Sequence, residues 1–203
     1  MNRRQLLQIC SGLGLSGISG CLADNLQDSD QSTVQTKHRQ IKSIPEYDAS
    51  QHPIVADVVQ LEMLTHEETN KSREEHSRGR ISYDSDLADI ARLHSRDMAM
   101  RDFYAHENPN GERNQQRLHN YGYYSSTVYE NIISTDSVSS DTSLQDMAKM
   151  AVDSWLNSPP HREALLREHV TEEGIGVYVT AEPQIYWTVE LSKYDVDRQT
   201  PTQ

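Results

Sequence analysis

A chain of 203 residues holding 31 acidic side chains against 19 lysines and arginines has a formal net charge of -12. That length suits one medium domain with appendages, and the charge excludes a surface that attracts nucleic acid or anionic lipid. Only five basic residues are lysine, a balance similar to that of halophilic proteins, where high ionic strength screens acidic repulsion; an ordinary acidic protein is the other reading.

Residues 1–20 open with Arg3 and Arg4 and continue as an uncharged run from Leu6 to Ile18. The run is too short to cross a bilayer as a mature helix, and it predicts an export signal of the twin-arginine kind. Ile18-Ser19-Gly20-Cys21 resembles a lipobox, which makes Cys21 the expected lipidation site; a buried amphiphilic helix with an incidental cysteine is the alternative. Because Cys10 and Cys21 are the only cysteines, the mature exported domain holds no disulfide and rests on packing. Without the two charges of Arg3 and Arg4 the formal charge of -12 becomes -14. Residues 21–51 then read as a lipidated cysteine and polar tether, 52–194 as the domain, and 195–203 as a polar tail.

Within the domain, apolar residues recur at three and four positions over 53–69, which predicts a first helix. The charged stretch from Asn70 to Tyr83 reads as a loop carrying the sequon Asn70-Lys71-Ser72. Asp84 or Ser85 caps a second helix to about Met100, with Leu87, Ile90, Ala91, His94 and Met98 on one stripe. Phe103 to Gly111 is a loop, and a short helix from Arg113 to about His119 closes at Gly122. Val128 to Ser134 is strand or loop. Leu144, Met147, Ala148, Ala151 and Trp155 predict a fourth helix, and a short one follows to Glu168. Two alternating runs, Ile175 to Val179 and Ile185 to Leu191, joined by Ala181 to Gln184, predict a hairpin. Helices first and a terminal hairpin imply an α+β domain with helices packed on an antiparallel sheet.

No familiar catalytic spacing is present: His66-Glu67-Glu68-Thr69-Asn70 lacks the second histidine of H-E-x-x-H, and there is no G-x-S-x-G, P-loop, dinucleotide loop or paired-cysteine metal motif. A different set stands out. His94 to Ala99, Phe103-Tyr104-Ala105-His106 with Asn108-Pro109-Asn110-Gly111, Arg117, Gly122-Tyr123, Glu130-Asn131, Trp155 to Arg162 and Gly174 to Val177 occur in this order. Over about residues 54 to 192 the chain resembles the CAP superfamily of cysteine-rich secretory, antigen 5 and pathogenesis-related proteins, in its prokaryotic branch. The resemblance implies an α-β-α sandwich with a cleft in which His106, Glu130 and His161 converge. Relatives place a further glutamate three positions after the helix-four tryptophan, where this chain has Ser158, so the tetrad is incomplete.

Two neutral imidazoles and a carboxylate meet the ligand count of an open zinc or other divalent site, with one position for water. The same three groups can equally form a hydrogen-bonded clamp with no metal and no turnover. Asn131 reads as a residue that orients the loop or touches a ligand. His94 reads as a hydrogen-bonded core residue, Arg162 as the partner of an acid, and the remaining histidines, His119 and His169 among them, as surface residues. Tyr121, Tyr123, Tyr124 and Tyr129 line an apolar cleft or pack beneath a loop. Ser158 caps the short helix with Pro159 at its first position, which puts His161 in the first turn, where the helix dipole favours the neutral ring.

The sequence therefore implies a protein on the outer face of the membrane, held there only by its lipid. Its cleft would bind a small apolar ligand, a peptide or an envelope component, possible metal included. A metal-dependent peptide hydrolase and a purely structural envelope protein are the alternatives, and the balance leans away from an enzyme.

Overall fold

The computed structural model describes residues 42–44, 46–136 and 138–193. The expected export signal 1–20, Cys21, the expected tether up to 41 and the expected tail 195–203 lie outside the described residues. Five helices, α1 (Val58–Glu75), α2 (Ser85–Met100), α3 (Asn114–Asn120), α4 (Leu144–Asn157) and α5 (Pro159–Leu165), accompany four strands, β1 (Ser82–Tyr83), β2 (Val128–Thr135), β3 (Glu172–Val179) and β4 (Ile185–Ser192). The strands lie in the order β1-β3-β4-β2. β2, β3 and β4 are antiparallel as expected, whereas β1 pairs parallel with β3, so the sheet is mixed. Two residues are too few to show an alternation, which is why the sequence reading misses β1.

Successive residues of β3 and β4 point to opposite faces, and both faces are buried. On one face Ile175, Val177, Trp187, Val189 and Leu191 join Leu61 of α1, Met147, Ala151 and Trp155 of α4, and Leu165 of α5 in the main core. Each large apolar side chain buried there stabilises the fold by about 1.5–3 kcal/mol. The other face carries Gly174, Gly176, Thr188 and Glu190 and is covered by α2. A Cβ on Gly174 would stand 2.2 Å from the Ala88 nitrogen, and one on Gly176 1.9 Å from the Arg92 nitrogen. Glycine at both positions is what lets α2 lie so close. The polar neighbours of the predicted strands are thus a second buried layer; Ser95 of α2 donates to Gly176 O at 2.8 Å and to Thr188 Oγ1 at 2.9 Å.

Helix α1 starts later and ends later than its apolar periodicity suggests. Asp57 caps it by accepting from Gln60 N at 2.9 Å. Its last turns bury polar rather than apolar side chains: Arg73 donates to the carbonyls of Gly79, Leu165 and Arg167. Asn70 is also buried, bonded through Nδ2 to Ile81 O and through Oδ1 to Ile81 N. The sequon asparagine is therefore inside a helix, and the folded domain does not offer it for glycosylation. The end of the expected tether packs on the domain too, with Lys42 N bonded to Tyr121 O and Gln51 N to Val179 O.

β2 is an edge strand, and its outward groups are covered by side chains. Trp155 Nε1 and Tyr104 OH both donate to Ile132 O at 3.2 Å. Asn131 Nδ2 donates to His161 O at 2.9 Å, which docks the start of α5 against this edge. Glu130, on the opposite side of the strand from Asn131, points towards α3.

Candidate functional site

The site grows from a cross-strand pair. Glu130 of β2 and Glu190 of β4 are direct partners in the antiparallel register, and both side chains are buried. Two carboxylates opposite each other repel, so the pair requires a cation or a shared proton. Arg117 of α3 supplies the cation. Its Nη2 donates to Glu130 Oε2 and lies 3.6 Å from Glu190 Oε1.

The same guanidinium holds the loop before it: Nη1 donates to His106 O at 2.8 Å and to Glu112 O at 3.0 Å. Asn108 shapes that loop by accepting from Asn110 N and Glu112 N at 3.0 Å each, and Gly111 takes the positive φ of 81° that the turn requires. His106 is thereby fixed with Nδ1 donating to Glu130 Oε1 at 2.8 Å. Its side chain is half exposed. Across the β2 edge stands His161, with ring centroids 6.4 Å apart.

Behind these groups His94 is buried, its Nε2 donating to Ala105 O at 3.1 Å and lying 3.9 Å from Glu130 Oε2. It is a hydrogen-bonded core histidine, as the sequence suggests, yet it also backs the site. Burial, and then the Arg117 charge, push its pKa down to about 3. Burial and Arg117 also lower His106. His161 is lowered by burial and then by His106, so the expected neutral ring has a cause other than the dipole of its seven-residue helix. Burial raises Glu130, against the pull of Arg117. Glu190 is raised well above the ordinary range by burial and by Glu130. The proton belongs on Glu190, which can then donate to its neighbour, while Glu130 stays ionised between Arg117 and His106.

The cysteine-rich secretory protein (CAP) family model matches residues 66–191. The chain belongs to the CAP family. No curated protein matches it. Among solved structures this CAP domain is similar to an outer surface protein of Borrelia burgdorferi, at 21% identity and a TM-score of 0.58 over 68% of this chain and 96% of that one. It is also similar to an extracellular SCP-domain protein of Bacillus anthracis, at 26% and 0.54 over 67% and 41%. A cysteine-rich secretory protein of Staphylococcus aureus gives 18% and 0.50 over 69% and 40%. The chain thus covers about two fifths of the latter two proteins.

In this CAP domain His106, Glu130 and His161 come together around the β2 edge, while Asn131 faces away from Glu130 and holds α5. Both Glu130 oxygens are engaged, one by His106 Nδ1 and one by Arg117, which places the carboxylate behind the imidazole rather than beside it. Among the described residues no three His, Cys, Asp or Glu side chains are arranged to hold a metal ion.

Two members of the site were missed as such. Arg117 appears in the sequence only as part of a motif, and Glu190 as one polar residue of an alternating strand. A lone acid in a strand flanked by Val189 and Leu191 is the signal that could have flagged it. Glu190 brings a second, fully buried acid to the site from β4. Ser158 occupies the N-cap of α5 without a side-chain capping bond; Pro160 has no N–H to offer at the second position, and the His161 N–H at the third is not bonded to the Ser158 hydroxyl. Arg162 pairs with no acid among the described residues: its Nη2 donates to His76 Nε2 at 2.9 Å. His66 is buried rather than on the surface. The tyrosines do not share one cleft, since Tyr123 is buried, Tyr124 is exposed and Tyr129 is bonded to His169.

Proposed function

We propose that this CAP domain is exported, anchored through Cys21, and uses the His106/His161 face to bind a peptide or an envelope component without turning it over. One observation carries the reading. Glu130, held by Arg117, fixes His106 with its Nε2 uncommitted among the described residues and its ring half exposed beside His161, so two neutral imidazoles offer hydrogen bonds to a ligand. Glu130 itself is buried, with one oxygen bonded to His106 and the other to Arg117, so it is shielded from the solvent water that a general base would activate. Of three cavities, of about 770, 350 and 390 Å³, none is lined by His106, Glu130 or His161, although the second takes in His94 and Arg117; the half-exposed His106 ring favours a hydrogen-bonding ligand over a small apolar one. The extracellular nature of the Bacillus relative supports export.

The test is mass spectrometry of material extracted with the native protein and with a His106→Ala/His161→Ala variant. A peptide or envelope fragment retained by the first and lost from the second is the expected result. Equal recovery from both would overturn the reading. A zinc titration of the same pair addresses the metal reading: we expect no micromolar site in the native protein, and a micromolar site lost in the double variant would replace this proposal with a metal-dependent one.

A further inference from the structure

The largest of the three cavities lies between the end of α4 and α5, and it gathers several arginines in an acidic chain. Arg78, Arg162 and Arg167 line it, with Glu163 and Glu168, over a floor that includes Leu156, Pro159 and Leu166. Two of the arginines are compensated. Arg78 Nη1 donates to Glu168 at 2.5 Å, and Arg167 Nη2 to Glu163 at 2.6 Å.

Arg162 differs from both. Its Nη2 donates to His76 Nε2, and His76 Nδ1 donates in turn to Ser72 O at 2.7 Å. The imidazole can accept from Arg162 only while neutral, so it orients the guanidinium without neutralising it. Arg167, stacked over the Tyr129 ring at 4.3 Å, also leaves its buried Nε without a hydrogen-bond partner. Among the described residues, three positive charges against two negative ones leave a single uncompensated cation in a cavity with an apolar floor.

We propose that this groove binds one carboxylate on Arg162, carried by a peptide whose neighbouring side chain is apolar. The charge decides the anion. A carboxylate carries one charge and matches the planar guanidinium, whereas a phosphate monoester carries about -1.5 to -2 and would face Glu163 and Glu168 with one free cation. His106 and His161 take no part, so the groove stands or falls independently of the ligand proposed for them.

The test is an NMR titration of the full chain at low ionic strength with N-acetyl-Leu-Leu as the free acid, with its C-terminal amide, and with inorganic phosphate. The free acid should shift the Arg162 Nε–Hε signal and bind at least about tenfold more tightly than the amide, the cost of one charge-assisted contact. Arg162→Gln should lose at least about that factor, while Arg101→Gln, at the C-cap of α2, binds as the native chain does. Equal binding of acid and amide, tighter binding of phosphate than of the acid, or no movement of the Arg162 signal would each overturn the proposal.

Discussion

On the α1 face of the sheet His66 Nδ1 donates to Glu173 Oε1 at 2.7 Å; on the α2 face His106 Nδ1 donates to Glu130 Oε1 at 2.8 Å. The two pairs have the same chemistry and nearly the same length, and they differ in what surrounds them. His66 is buried, and its Nε2 accepts from Asn70 Nδ2 at 3.2 Å, so both ring nitrogens are used inside the protein. His106 has Nδ1 used and its ring half exposed. Glu173 has Arg73 near it only as a charge, whereas Glu130 is bonded to Arg117 and faces a second acid. A carboxylate–histidine pair is thus a structural clamp when both imidazole nitrogens are satisfied, and a candidate binding group when one is turned outward.

The largest expected effect separates the pairs by stability. His66→Ala leaves Glu173 buried without its partner and should cost about 3–5 kcal/mol, read from urea unfolding. His106→Ala should cost about 1 kcal/mol or less, since Glu130 keeps Arg117 and the lost ring is half in water. Equal costs would erase the distinction between clamp and binding group.

Next comes the acid pair, through pH. Glu190 has its folded-state pKa raised, so the stability it contributes is present at acid pH and is lost as pH rises through that folded value. Glu190→Gln keeps the shape and a donor while removing the proton. Relative to the native chain, the variant should therefore gain stability as pH goes from 5 to 8, by about 1 kcal/mol or more for each unit of the raised pKa. An unchanged difference across that range would place the shared proton elsewhere.

A slope of the opposite sign comes from His94, whose folded pKa is depressed to about 3. Here the unfolded chain takes up the proton first, so stability falls as pH drops below the unfolded value of about 6.5. His94→Gln should flatten the acid limb between pH 6.5 and 4, seen in melting temperature against pH. An acid limb as steep as the native one would contradict the burial of a neutral ring.

Much of the framework was legible because apolar residues announce themselves. The stripe of α2, the stripe of α4 ending at Trp155 and the terminal hairpin follow from periodicity, and His106, Glu130 and His161 follow from motif order. What escaped was polar and buried. The last turns of α1 carry Asn70 and Arg73 inward, where hydrogen bonds replace apolar contacts, so hydrophobic periodicity ends before the helix does. Arg117 escaped for the same reason, since nothing in its own neighbourhood tells a buried cation from a solvated one, and Glu190 was signalled only by its apolar neighbours Val189 and Leu191. His66 looked like the remnant of a failed metal motif, yet its partner Glu173 is distant in sequence and only the fold brings them together.

The central claim is that His106 is held neutral, with Nδ1 protonated towards Glu130 and Nε2 free for a ligand. Long-range ¹H–¹⁵N spectra of the imidazole nitrogens across pH 5 to 8 test it most directly. The account predicts a His106 midpoint below that of a model histidine, with the Nδ1–H tautomer above it. A midpoint above the model value, or an Nε2–H tautomer, would contradict it.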